Sequence, residues 1–476
     1  MSIISQLTKS LPKGTVISGS ENTRPFECDG LSVYKQEPLA VVLPNEVSQI
    51  KKVLEICRKN KTPVVTRGAG TGLSGGALPL EDSVVLGLSR LTEVISINPE
   101  IQTAIVQPGV RNLAISEAAE EYGLYYAPDP SSQIACTIGG NVAENAGGVH
   151  CLKYGLTVQN IESIKILTID GDELVLSRQD EGLGLLALMT GSEGLLGVIT
   201  EITVKLTKKP QLAKLVMAGF DSVRDCATAV AEVIKNGVIP AGLEMMDEFA
   251  IDAAEQFAKP GYPLEAKALL LCELDGSEDL VNHDIGVVVS LLSKATSLRV
   301  SETEEERLLL WKGRKSAFPA VGRLSPDYYC MDGTIPKRHL ADVLEKINSL
   351  SKHYSLRVAN VFHAGDGNLH PLILYDAGIP GELEKTEEFG NEILKICIDA
   401  GGSITGEHGV GIEKLDAMCY QFSNAELDVF HQIKAAFDPD SLLNPGKAVP
   451  TLHRCAELGN MHVHHGKLPH PELERF

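Results

Sequence analysis

Arg67-Gly68-Ala69-Gly70-Thr71-Gly72-Leu73-Ser74-Gly75-Gly76 places five glycines in ten residues, directly after the short apolar run Pro63-Val64-Val65-Thr66. So much glycine costs backbone entropy, and its use is a main chain that can take positive φ and bring bare N–H groups close to an anion. Gly70, Gly72 and Gly75 satisfy G-x-G-x-x-G, but the dinucleotide fingerprint needs a helix opening at the last glycine. Ala77 to Asp82 reads instead as a turn and Ser83 to Leu88 as a β-type run, so the loop is expected between two strands. It reads as a cradle for a phosphate-bearing ligand; the alternative is a glycine-rich turn that binds nothing.

Working outward, Asn45 reads as the N-cap of an amphipathic helix reaching about Lys59, with Val47, Ile50, Val53, Leu54 and Cys57 on one stripe. Strands at 94–97 and 103–107 and a helix at 111–122 follow. A second small-residue segment then runs from Pro128-Asp129-Pro130-Ser131 through Thr137 to Gly148, and two glycine-rich loops in one domain point to a long ligand. Asp170-Gly171 between two apolar runs predicts a hairpin. A strand at 197–206 ends at Lys208-Lys209-Pro210, where a domain boundary is expected. Beyond it, strands at 215–220, 268–274, 328–334 and 357–362 alternate with helices, the pattern of an α+β domain. The expected organisation is an N-terminal segment (1–37), a ligand-binding domain (38–210), an α+β domain (211–430) and a C-terminal segment (431–476).

At 476 residues the chain is too long for one core. Its formal charge of −20 argues against nucleic acid, whose phosphates demand clustered Lys and Arg. The N-terminus has no apolar signal region and no apolar run reaches membrane-spanning length. A cytoplasmic protein is expected, held at most at the inner face of the membrane through partners. The ten cysteines are scattered singly without C-x-x-C, predicting neither a disulfide framework nor an iron–sulfur cluster.

Most reactive side chains fall in two segments. Val361-Phe362-His363-Ala364-Gly365-Asp366-Gly367-Asn368-Leu369-His370 reads as strand, tight turn, strand, which can aim His363 and His370 at one ion. Gly401 to Gly409 carries Glu407 and His408 between glycines. Two histidines and a carboxylate leave coordination positions open, as catalytic metal sites do. Arg314 reads either as a solvated helix end or as a bidentate clamp on a carboxylate. The histidine-rich tail, His453 and His462 to His465, is a further candidate for metal binding or partner contact.

Together RGAGTGLSGG, PDPSS, TIGGNVAENAGG, HAGDGNLH, GEHGVG and LLNPGK resemble the FAD-linked oxidases of the vanillyl-alcohol oxidase type, among them the 2-hydroxy-acid dehydrogenases. The resemblance spans nearly the whole chain. It implies an α+β fold: a two-part FAD-binding domain, a substrate domain with an antiparallel sheet, and a C-terminal segment returning to the flavin. It implies that Arg67, Gly68, Ala69, Gly70, Thr71, Gly72, Leu73, Ser74 and Gly75 hold the FAD pyrophosphate. Pro128, Asp129, Ser131, Thr137, Gly139, Gly140, Asn141, Asn145, Gly147 and Gly148 line the flavin, and Glu193, Gly197 and Ile199 complete the site. His363, His370 and Glu407 bind one divalent metal, zinc first, with manganese or iron also fitting; His408 is the base; Arg314 and Asn444 face substrate or flavin. The flavin-attaching histidine of some relatives has no counterpart in the glycine loop, His150 being the nearest, so non-covalent FAD is expected. Relatives specific for hydroxyglutarate carry a lysine where Cys330 stands, which counts against a dicarboxylate.

The activity so implied is oxidation of a short 2-hydroxy acid, glycolate foremost, with electrons leaving through companion flavin and iron–sulfur subunits or a respiratory acceptor. Three rivals stay open: a D-lactate dehydrogenase, a metal hydrolase using only the histidine–carboxylate set, and a non-catalytic flavin relay subunit.

Overall fold

The glycine loop joins two parallel neighbours in a four-stranded sheet: Val64–Arg67 and Val84–Gly87 pair in parallel, Ala40–Val42 pairs in parallel on the other side, and Val16–Ile17 closes that edge. The computed structural model describes residues 1–451 and Cys455; the histidine-rich tail from His453 lies outside the described residues. The helix ahead of the loop runs Val47–Asn60 and buries Ile50, Val53, Leu54 and Cys57, with Glu46 rather than Asn45 at the N-cap. The Gln49 side chain accepts a hydrogen bond from the Asn45 amide and ties down that entry.

A five-stranded antiparallel sheet follows, in the spatial order Val94–Asn98, Thr103–Val106, Val198–Lys205, Ile161–Leu167, Glu173–Ser177. Its last two strands are the hairpin at Asp170-Gly171, with Gly171 at φ +84°. The segment Thr137 to Gly148 differs from expectation, because Ile138–Glu144 is a helix, ended by Asn145 in the left-handed region. Its glycines allow close approach: a Cβ on Gly139 would lie 2.6 Å from Pro108.

The third sheet has seven antiparallel strands between Leu212 and Tyr375, in the order Ser297–Val300, Leu212–Phe220, Ala268–Gly276, Gly242–Asp247, Val358–His363, Asn368–Tyr375, Asp327–Cys330. The sequence reading has no strand at Gly242–Asp247 and no helix at Glu382–Asp399. The strand is buried on both faces and so shows no alternation. The helix does carry a legible stripe, with Thr386, Phe389, Ile393, Leu394 and Cys397 buried.

Helix Asn424–Phe437 runs unbroken through residue 430, so the C-terminal segment taken as 431–476 begins inside it. It then returns to the glycine loop: Val64 N donates to Leu442 O at 2.7 Å and Asn444 N to Val64 O at 2.8 Å. Cys419 and Cys455 are joined in a disulfide, a correction to the expectation of none; 36 residues separate them, and only the returning tail brings them together. No helix among the described residues is long and apolar enough to cross a membrane.

The turn between Val358–His363 and Asn368–Tyr375 depends on Gly367, which has φ +87° and would place a Cβ onto Ile335 O. Gly367→Ala is expected to destabilise the protein by at least about 2 kcal/mol, from left-handed strain and overlap together. Denaturant unfolding checks this; a loss under about 0.5 kcal/mol would show that the turn relaxes freely.

Candidate active site

The pairing of His363 with Asn368 and of Val361 with His370 puts both imidazoles on one face of the hairpin. Their centroids are 5.0 Å apart, and their Nε2 atoms lie 3.4 and 3.3 Å from Glu407 Oε1. On the far side, Nδ1 of His363 is 2.8 Å from Glu244 Oε1, a contact that orients the ring with Nε2 toward Glu407. Both ring nitrogens of His370 are buried without a hydrogen-bond partner among the described residues. Two imidazole nitrogens and a carboxylate oxygen converging within 4.8 Å of one another fit a divalent cation. A second trio, Asp332, His370 and His408, shares His370.

Burial opposes the charge of Glu407, but His363, His370 and His408 outweigh it and hold the carboxyl down to about 2. Burial likewise disfavours the charge of His363, yet Glu244 and Glu407 on either side push its pKa well up.

The segment carrying Glu407 and His408 is held by its own backbone. Asp332 accepts from the amides of Gly406 at 3.1 Å, Glu407 at 3.2 Å and His408 at 2.9 Å, and from the Thr405 hydroxyl at 2.6 Å. Glu193 accepts from Val410 and Gly411, each at 2.7 Å, and Lys414 donates to Gly409 O at 2.8 Å. His408 stacks on His370, centroids 4.8 Å apart. Burial, helped by His370 and Lys414, pushes its pKa down to about 4, so at neutral pH it is an uncharged proton acceptor.

Above this cluster opens a cavity of about 510 Å³. Residues 68–73, Ser131, Thr137, Gly139, Gly140, Asn141, Gly147, Glu193, Gly197 and Ile199 line it, together with His370, Glu407 and His408. The Thr66 and Thr137 hydroxyls and Glu144 Oε2 are buried at its wall without a protein partner among the described residues. Among those residues, too, the amides of Gly68 to Leu73 donate to no acceptor. An elongated, phosphate-bearing ligand satisfies such a set. Gly147 marks where the two halves meet, since a Cβ there would overlap the Glu407 carboxylate.

Other expected residues lie behind the wall. Arg67 donates to Cys28 O at 2.7 Å and packs on Phe26. Ser74 and Gly75 carry the turn beneath the loop, where Ser74 O accepts from Ile412 at 3.0 Å. Pro128, Asn145 and Gly148 shape the backbone, Pro128 O accepting from Asn112 and Asn145 Oδ1 from Val158. Asn444 donates to Gly76 O at 3.0 Å and Glu193 O at 2.7 Å, tying the returning segment to the loop. Arg314 is buried with its Nη2 2.6 Å from Glu244 Oε2 and does not line the cavity; Lys315, next in sequence, does. Asp332, Glu244 and Lys315 thus touch the cluster or line the cavity at positions to which motif reading gives no role. A signal existed for one of them, a charged residue inside the apolar run Gly242-Leu243-Glu244-Met245-Met246.

His150 does not line the cavity either. Its ring sits between Asp129 and Glu273, 3.0 Å from each. Burial disfavours its charge, but the two carboxylates outweigh that and push its pKa up to about 10.

Residues 38–177 match the FAD binding domain and residues 209–448 the C-terminal domain of FAD linked oxidases, so the chain belongs to the FAD-linked oxidases. The likeness to p-cresol methylhydroxylase, TM-score 0.80 at 18% identity over 95% of this chain and 97% of that one, shows the same fold. The chain is 59% identical over 480 residues to glycolate oxidase subunit GlcD of Escherichia coli strain K12, covering 100% of this chain and 96% of that protein. It is 31% identical over 456 residues to a D-lactate dehydrogenase of Anaerostipes hadrus, covering 92% and 95%.

The raised pKa of His150 makes a pH prediction with a definite sign. A histidine held protonated in the fold adds stability that is full below its unfolded pKa near 6.5 and is lost as pH rises through about 10. The stability advantage of the native chain over His150→Gln is expected to be largest below about pH 6.5 and to vanish above about pH 10. Urea unfolding across that range checks it; an advantage growing with pH would show that the ring is neutral.

Proposed function

We propose that this chain oxidises a short 2-hydroxy acid, glycolate foremost, to the 2-oxo acid, as the FAD-bearing subunit of a larger assembly. The observation that carries the reading is the meeting of the two sites: His370, Glu407 and His408 line the same cavity as the glycine loop. The similarity to a glycolate oxidase subunit supports the substrate, and the D-lactate dehydrogenase relative keeps lactate as the second reading.

FAD supplies the acceptor for the hydride leaving C2, and a divalent cation, zinc, manganese or iron, supplies a Lewis acid for the substrate hydroxyl and carboxylate. His363, His370 and Glu407 would hold that cation. His408, uncharged and turned with Nε2 3.8 Å from Glu407 Oε1, takes the hydroxyl proton at Nε2. Asp332 fixes where His408 sits by binding its backbone amide. Glu244, backed by Arg314, keeps the Nδ1 side of His363 occupied and its Nε2 directed inward. The FAD is non-covalent in this reading, since His150 is engaged by two carboxylates. No cysteine grouping among the described residues takes the electrons onward, and in this reading they pass to companion flavin and iron–sulfur subunits, on the cytoplasmic side and at the inner face of the membrane.

Anaerobic mixing with glycolate is expected to bleach the bound flavin, and NAD should not restore its colour. His408→Ala should slow bleaching about 10² to 10⁴-fold, the range for one positioned proton acceptor, with FAD and metal content retained. Unchanged bleaching in that variant would favour the flavin relay reading instead. Treatment with a chelator should stop substrate-driven bleaching while FAD stays bound, because the ligand set and the glycine loop are separate parts of the chain. Full activity in a metal-free preparation would remove the metal from the mechanism.

A further inference from the structure

Lys315 is the only Lys or Arg among the described residues that line the cavity, whose wall also includes Phe318, His370, Glu407 and His408. Its neighbour Arg314 is buried and faces Glu244, so Lys315 is the cation that the described wall presents to an anion in the cavity.

The ammonium group is held by a ladder of alternating charges. Lys315 Nζ is 3.0 Å from Asp129 Oδ2, and the same oxygen is 3.0 Å from His150 Nδ1. The Asp129 Oδ1 accepts from the His150 amide at 3.3 Å. Across the ring, His150 Nε2 is 3.0 Å from Glu273 Oε1. Glu273 Oε2 accepts from Arg307 at 2.6 Å and from the Trp311 indole. The ladder runs from the segment around Asp129 and His150 to strand Ala268–Gly276 and helix Glu304–Lys315. With His150 protonated it counts three cations and two carboxylates. Asp129 is shared by two cations and cannot neutralise both, which leaves Lys315 with charge to offer an incoming anion.

We propose that Lys315 receives the carboxylate of the substrate, and that His150, acting through Asp129, is the positioning residue that sets the ammonium in place. The inference rests on the 2-hydroxy-acid reading and sharpens it toward short monocarboxylates. A second substrate carboxylate finds no other lysine or arginine on the described wall, where the acidic groups are Asp29, Glu144, Glu193 and Glu407.

The test uses the FAD- and metal-loaded protein and methoxyacetate, a glycolate analogue with no hydroxyl to oxidise, whose binding is read from the flavin absorption band. Lys315→Met is expected to weaken methoxyacetate binding and raise the glycolate KM about 10 to 100-fold, the effect of losing one charge-assisted hydrogen bond. Lys315→Arg should recover most of that loss, and FAD content and flavin potential should stay as in the native chain. His150→Gln should raise KM in the same direction with kcat at saturation retained. The double variant should be no worse than Lys315→Met alone, because His150 acts only through the lysine.

Native-like methoxyacetate binding in Lys315→Met would overturn the proposal, and so would a shifted flavin potential with an unchanged KM, or additive losses in the double variant. If Lys315→Met fails to fold, His150→Gln decides: an unchanged KM there overturns it. A native chain that binds methoxyacetate but is never bleached by glycolate would overturn the substrate reading, and this inference with it.

Discussion

The loop from Thr405 to Gly411 is suspended by its backbone amides between two buried carboxylates, Asp332 from the large sheet region and Glu193 from the flavin side. A buried carboxylate is costly unless its lone pairs are filled, and main-chain donors that side-chain substitution cannot remove fill most of them here, with the Thr405 hydroxyl adding one to Asp332. Fixing the loop at both ends places Glu407 against His363 and His370 and stacks His408 on His370. Lys414, fully buried, binds the same loop through Gly409 O and lies 3.6 Å from Asp332. Without this suspension the hairpin histidines would face an unplaced carboxylate.

Much of this was legible in the sequence because glycine and histidine carry unambiguous constraints. The loop at Arg67–Gly76 announced its strand-to-strand setting through the turn and β-run after it, and the helix at Val47–Asn60 through its stripe. The spacing of His363 and His370 about a glycine turn predicted a shared face, which strand alternation delivers. What stayed hidden depends on partners far apart in the chain. Glu244 is invisible as a histidine partner until Gly242–Asp247 is placed beside Val358–His363. The roles of Arg314 and Lys315 could not be separated by spacing, because adjacent helical residues point about 100° apart and only the packed helix decides which meets the cavity. The disulfide between Cys419 and Cys455 depends on where the returning segment runs.

Charge is sorted in layers around the reacting cluster. The buried Arg314 spends its charge on Glu244, and Lys414 on Asp332 and Glu413. Each of these cations lies behind the wall and stiffens an anion that in turn aims a histidine or an amide. Among the described residues the wall keeps Lys315 as its only lysine or arginine and presents the uncharged His408 imidazole, so polarity at the surface of the cavity depends on what has been neutralised behind it.

Gly147 has a consequence for the evolution of this fold. Its Cα faces the Glu407 carboxylate with no room for a methyl group between them, so the segment after helix Ile138–Glu144 and the loop carrying Glu407 are in direct contact. Any chain of this architecture with a side chain at that position must move or lose the acidic residue opposite. A side chain at this one position would therefore compete with the Glu407 carboxylate for the space between the two segments.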